Sequence, residues 1–179
     1  MIYVFLANGF EEIEALTPVD LLRRAGIPVE TVAVGERTVT GSHKIPVVAD
    51  RTAENLPFDL LDGIILPGGM PGTKNLEADE TVQKALSYCA EHGKLIAAIC
   101  AAPSVLGHKG LLRGKQATCF PGFEKDLLGA ALSTLPAVRD GNIITSRGAG
   151  TATEFSAEII ACLKDRTTAE QIVSSIQKP

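Results

Sequence analysis

The stretch K-L-I-A-A-I-C-A-A-P-S-V, residues 94–105, decides the fold. Leu95 to Ile99 form an unbroken apolar run of strand length, the pattern of a strand buried on both faces. Ala101, Ala102 and Pro103 then open a helix, because proline loses nothing at a first helical turn, where its missing N–H has no partner anyway. A buried strand that turns directly into a helix is the unit of a parallel sheet covered by helices. The joint between the two halves is Cys100.

The same alternation extends outward. Residues 2–7, 28–34, 63–66 and 142–146 read as further strands, and 116–119 as a short one. Residues 11–25 read as a helix with Ile13, Leu16, Val19 and Leu22 on one face, ended by Gly26. Residues 79–92 read as a helix with Val82, Ala85, Leu86 and Cys89 as its stripe, and Gly93 caps it. Residues 151–163 and 167–177 read as two more helices, the first with Thr151 and Glu154 in a T-x-x-E capping box. Residues 38–48, interrupted by Gly41 and Ser42, read as a hairpin. The sequence therefore predicts an α/β fold with a mostly parallel sheet and helices on both faces. No linker, repeat or low-complexity tract divides it, so residues 1–179 are expected to form one domain. Ligands of such folds sit at the carboxyl ends of the strands. Three glycine-rich strand exits point there: Asn8-Gly9, Gly68-Gly69 and Gly148-Ala149-Gly150.

Composition removes several classes. With 179 residues, 45% of them hydrophobic, the chain is rich enough for a core rather than disorder. Its net charge of −4 is spread without a basic stripe, which argues against a nucleic-acid partner. No apolar run is long enough to span a bilayer, and the first residues lack a signal-peptide pattern, so a cytoplasmic location is expected. The four cysteines, Cys89, Cys100, Cys119 and Cys162, form no C-x-x-C pair and have no histidine at zinc-ligand spacing. They read as free thiols, with no metal expected. Cys89 and Cys162 fall in helical stripes and Cys119 closes a short strand, positions that suit packing.

Cys100 has two readings. Small free thiols often only fill space. A thiol at a strand-to-helix corner also faces orphan N–H groups and a positive dipole end, which stabilise a thiolate. No histidine is placed to serve it: His43 lies in the hairpin, His92 at a helix end and His108 at the far end of the helix that follows Cys100. Glu14 is the remaining candidate. It follows the first strand, in N-G-F-E-E-I-E-A-L-T-P (8–18), and Pro18 four residues on is expected to kink the helix there. Glu11 and Glu12 read as helix-start acids. A glutamate beside a half-buried thiol has a raised pKa and moves protons. The N–H groups at Gly69 and Ala101 suit an oxyanion hole, whereas Pro67-Gly68-Gly69 would also make a plain tight turn.

Taken together, A-N-G-F-E-E-I-E (7–14), I-L-P-G-G (65–69), I-A-A-I-C-A-A-P (96–103) and T-S-R-G-A-G-T-A-T-E-F (145–155) resemble the ThiJ/PfpI superfamily, closest to its DJ-one branch, over nearly the whole chain. The resemblance implies a flavodoxin-like three-layer sandwich, usually a homodimer. It implies Cys100 as nucleophile, Glu14 as a protonated carboxyl, Gly69 and Ala101 as oxyanion-hole amides, and Arg24 as an arginine contributed across the dimer. It implies a small carbonyl substrate and no cofactor: glyoxalase or deglycase chemistry on α-oxoaldehydes, from methylglyoxal to lactate, or repair of early glycation adducts. The alternative it carries is an oxidative-stress sensor or redox-regulated chaperone acting through oxidation of Cys100. The chain departs from the family at Phe120, where many members have histidine, and at His43, where the branch often has arginine. Ala101 stands where the peptidase-like branch has histidine, and no H-x-E pair occurs, so protease and amidotransferase activities are not expected.

Overall fold

The computed structural model describes residues 1–177; the last two residues of the expected domain lie outside that range. In chain order the strands are β1 (Ile2–Leu6), β2 (Val29–Ala33), β3 (Thr38–Thr40), β4 (Pro46–Val48), β5 (Arg51–Thr52), β6 (Gly63–Leu66), β7 (Leu95–Ile99), β8 (Gln116–Ala117), β9 (Ala131–Leu132), β10 (Ala137–Asp140) and β11 (Ile143–Ser146). The helices are α1 (Glu12–Arg24), α2 (Gly72–Ala78), α3 (Glu80–Glu91), α4 (Pro103–His108), α5 (Ala152–Leu163) and α6 (Arg166–Ser175). Seven strands make one sheet in the order β10-β11-β7-β6-β1-β2-β5, parallel throughout except for the β10–β11 pair. β3 and β4 form the expected hairpin outside it.

The alternation of side chains along each strand separates two cores. Ile2, Val4 and Leu6 point to one face, where they meet Val19 and Leu22 of α1 and Phe155 and Ile160 of α5. Tyr3 and Phe5 point to the other, against Leu86 of α3 and Val105 of α4. The result is a flavodoxin-like three-layer sandwich, and each fully buried large apolar side chain contributes roughly 1.5–3 kcal/mol. Leu66 pairs with Ala98 and Ser146 with Ile99, so β6, β7 and β11 end at one edge of the sheet. Cys100 follows β7 at that edge. No helix among the described residues is long and apolar enough to cross a membrane.

Several expectations are corrected. In α1, Val19 and Leu22 are buried as expected, but Ile13 and Leu16 are 53% and 37% exposed. The inward face instead includes Ala15, Pro18 and Leu21, together with Glu12 and Glu14, because both glutamates have partners inside. α1 carries Pro18 within its span, as the helix expected over residues 11–25 requires. The Thr151–Glu154 capping box does not form: the Thr151 hydroxyl is taken by Ser146 Oγ at 2.7 Å and by Gly148 O at 2.9 Å, inside a 3₁₀ turn that precedes α5. Residues 118 and 119 fall outside β8, which pairs with β9. The sequence reading missed α2, which follows directly on the Pro67-Gly68-Gly69 turn, and β10, whose half-exposed edge position leaves no continuous apolar run.

Candidate active site

β7 delivers Cys100 to the sheet edge in an unusual conformation. Its φ is +65°, in the left-handed region that residues bearing a β-carbon avoid. Such a backbone costs about 1–3 kcal/mol and persists only where its surroundings fix it. Here the Cys100 N–H donates to Ser146 O of β11 at 2.9 Å, and its carbonyl accepts the Phe120 N–H at 2.8 Å. The turn is completed by Ala102 N–H to Ile99 O at 3.1 Å and Ser104 N–H to Ala101 O at 3.1 Å. The Ala101 N–H is left facing the Cys100 sulfur, and the Gly69 N–H faces it from the β6 exit.

Glu14 meets the sulfur from α1. The residue is 1% exposed, its Oε2 accepts the Gly68 N–H at 2.9 Å, and its carboxyl hydrogen-bonds Cys100 and the Ala149 N–H. Gly68 makes this contact feasible. A β-carbon there would lie 2.6 Å from Cys100 Cβ, 2.6 Å from Glu14 Oε2 and 3.0 Å from Sγ. Gly69, at φ +89°, passes so close to the chain at Gly9 and Glu11 that a β-carbon would sit 2.5 Å from Gly9 O. The two glycines are therefore required for approach, beyond any turn they make.

The DJ-1/PfpI family model matches residues 1–162. The chain belongs to the DJ-1/PfpI family. Protein DJ-1 homolog B of Arabidopsis thaliana is 38% identical over 170 residues, 93% of this chain but 39% of that protein, so the chain spans about two-fifths of that relative. A protein named as a deglycase from Pyrococcus abyssi is 30% identical over 165 residues, 91% of this chain and 99% of its own length. Among solved structures, oxidized Toxoplasma gondii DJ-1 superposes with a TM-score of 0.94 at 33% identity, covering 98% of this chain and 97% of that one.

The Cys100 thiol and the Glu14 carboxyl are in electrostatic contest. Burial pushes the Glu14 carboxyl up from 4.5 to about 7; the hydrogen bonds from Cys100, Gly68 and Ala149 pull it down without prevailing, and the charge of Glu11 adds to the rise. Burial also pushes the Cys100 thiol up to about 12, and an ionised Glu14 adds to that; the amides of Ala101 and Gly69 pull the other way and lose. The lowered thiol expected from the corner is therefore not the resting state. A thiolate beside a carboxylate is doubly penalised, so sulfur becomes anionic only when its proton, or another, resides on Glu14.

This burial has a measurable consequence. Glu14 holds its proton more tightly when folded than when unfolded, so its contribution to stability is complete below about 4.5 and is lost as pH rises through about 7. From the size of that shift, the wild type should lose about 3 kcal/mol relative to Glu14→Gln across this window. Urea denaturation of both proteins over the same pH series checks this; parallel curves would contradict a buried, proton-binding Glu14.

The structure brings Cys100, Glu14, Gly69 and Ala101 together as the DJ-1/PfpI resemblance implies. It does not bring Arg24 to them within the chain. Arg24 stands at the far end of α1, its Nε donating to Asp20 at 2.8 Å. Sequence reasoning did not find Gly68 and Ala149 as donors to Glu14, since a backbone N–H leaves no mark in a residue pattern beyond the glycine itself. Cys119 is 4% exposed and its thiol is pushed up to about 11 by burial, as a packing residue should be. Clefts of about 470 and 530 Å³ lie elsewhere, the first at the opposite, amino-terminal end of the strands and the second outside α3. Neither is at the strand ends where such folds bind ligands.

Proposed function

We propose that the chain is a cofactor-independent cysteine enzyme acting on α-oxoaldehydes, of the glyoxalase or deglycase type, working in the cytoplasm. The observation that carries this reading is the half-buried Cys100 sulfur, held at positive φ against a carboxyl whose own pKa lies near neutrality. The Pyrococcus relative's deglycase name lends support at 30% identity. Glu14 takes the thiol proton as Cys100 Sγ adds to the aldehyde carbon and passes it to the hemithioacetal oxygen, which forms beside the amides of Gly69 and Ala101, so that the carboxylate is restored. Glu14 then carries the C1 proton to C2 through an enediol, which converts the hemithioacetal to a thioester. Water cleaves the thioester to a 2-hydroxy acid and returns the thiol. Methylglyoxal plus water thus gives lactate, with no net oxidation. The exposed Ile13, Leu16, Ile45 and Val48 around α1 and the hairpin fit a homodimer that would bring a partner's α1 end, with Arg24, toward this region.

A second reading is a redox-responsive protein with chaperone-like client binding, which differs from the first only in what reacts with the sulfur. It is favoured by the partial exposure of Cys100 and by the oxidized form of the Toxoplasma relative. Mild peroxide should add two oxygens, about 32 Da, at Cys100 while sparing the fully buried Cys89. Intact mass followed by peptide mapping decides it: without that species on Cys100 the sensing role has no chemistry.

A further inference from the structure

The ring of Phe120 stands beside the reactive pair, and neither the mechanism nor the core uses it. The residue is 47% exposed, although phenylalanine is among the side chains most often buried. The chain has six phenylalanines, and the other five are buried in one of the two cores or packed against it. Phe120 belongs to neither. It is nevertheless held in place. Its N–H donates to the Cys100 carbonyl at 2.8 Å, and its own carbonyl accepts the Phe123 N–H at 3.2 Å. The ring is therefore tied to the peptide of the nucleophile itself. It sits on the segment after β8, which is not part of the α1–hairpin surface given to the homodimer above.

Gly148, which follows β11, shows how near the ring comes to the carboxyl. A β-carbon on Gly148 would lie 3.2 Å from Cδ2 and 3.7 Å from Cε2 of Phe120, and 3.7 Å from Oε1 of Glu14. One point thus touches both the edge of the ring and the proton-transfer group. Glycine leaves that point free. The result is a slot with the Phe120 ring on one side, the Glu14 carboxyl on the other and the Gly148 backbone between them.

The reaction fixes which part of a substrate meets the ring. Cys100 Sγ holds C1 and the amides of Gly69 and Ala101 hold its oxygen, while Glu14 must reach C1 and C2 in turn. The group carried on C2 therefore passes beside Glu14, where the ring is the apolar wall. An apolar face left half in water is stabilised by being covered. An aromatic group covers it best, through offset-stacked or edge-to-face contact, whereas a methyl group covers little of it.

We propose that Phe120 is a specificity-determining residue whose ring favours α-oxoaldehydes with an aromatic group on C2 over methylglyoxal. The inference rests on the oxoaldehyde reading of the Cys100 site and names its substrate class. Phenylglyoxal is the simplest such compound. Sγ adds to C1, Glu14 carries the C1 proton to C2, and water cleaves the resulting thioester and returns the thiol. Phenylglyoxal plus one water gives mandelate, with no oxidant or reductant.

The test compares kcat/KM for phenylglyoxal and methylglyoxal, read as mandelate and lactate, in wild type, Phe120→His and Phe120→Leu. Histidine keeps a planar ring but makes it polar; leucine keeps the apolar character but loses the flat face. The wild type should have the higher kcat/KM with phenylglyoxal. The phenylglyoxal-to-methylglyoxal ratio should fall at least about tenfold in Phe120→His, the scale on which a misfit in an apolar subsite discriminates. In Phe120→Leu, which loses only the aromatic contact, it should fall about twofold to tenfold. The loss should lie mainly in KM for phenylglyoxal, because the ring touches the substituent before and during the reaction alike. A Phe120 that served only to brace the Cys100 turn would instead lower kcat for both substrates and leave the ratio unchanged. A wild type that prefers methylglyoxal, or an unchanged ratio in either variant, overturns this inference and leaves the oxoaldehyde reading standing. Absence of both products from the wild type overturns that reading, and this inference with it.

Discussion

Cys100→Ser is expected to lower methylglyoxal consumption by at least about 10³-fold, to near the buffer rate, with lactate output falling in step. The serine keeps the size of the side chain and sits at the same φ, so the turn, the Gly69 and Ala101 amides and the fold should persist. What is lost is the nucleophile: a hydroxyl is a far weaker acid than a thiol, and Glu14, at about 7, cannot ionise it. Glu14→Gln should cost about 10²–10⁴-fold by a different route, since the thiol then has no proton acceptor within reach and nothing carries the C1 proton to C2. The two losses should not add, because both residues act in one proton-transfer unit. Lactate formed equally well by wild type and by both variants would remove the proposed mechanism.

The sheet and most of its helices were legible because burial on two faces leaves uninterrupted apolar runs. Ile2 to Leu6 and Leu95 to Ile99 could be assigned without any partner in view. α1 was harder. Its apolar residues satisfy two helical phases, and the sequence reading chose Ile13 and Leu16 for the core. The inward phase is set instead by the acidic residues: Glu14 is drawn in by the Gly68 N–H and Cys100, and Glu12 by the amides of the hairpin. A polar residue on a buried face can be foreseen only when its partner is known, and these partners are 54 and about 30 residues away along the chain. That Cys100 and Glu14 meet at one sheet edge was readable, whereas their protonation was not. Position on the sheet follows from pattern, whereas the thiol's pKa follows from how completely water is excluded, and burial outweighs the two amides that the corner supplies.

Gly68→Ala is the sharpest test of how the site is built, because it leaves every reactive side chain in the sequence. One methyl group would stand 2.6 Å from both Cys100 Cβ and Glu14 Oε2, well inside contact distance. Neither neighbour yields easily. Cys100 is pinned through its own N–H and carbonyl to Ser146 and Phe120, and Glu14 is packed within α1 at 1% exposure. Relief must come from moving β6's exit away, which breaks the 2.9 Å bond from Gly68 N–H to Glu14, or from displacing the carboxyl itself. Overpacking of this kind costs about 1–3 kcal/mol of stability. The larger effect should be on turnover. A shift of about 1 Å in a proton-transfer pair is enough for about 10²-fold, and here the Gly69 amide moves with the same segment, so activity should approach that of Cys100→Ser. Alkylation of Cys100 across pH then separates the causes: Gly68→Ala should shift that profile away from the wild type's, because the thiol has lost the carboxyl with which it shares a proton. Full activity with an unchanged profile would mean that the Cys100–Glu14 contact does not govern the chemistry.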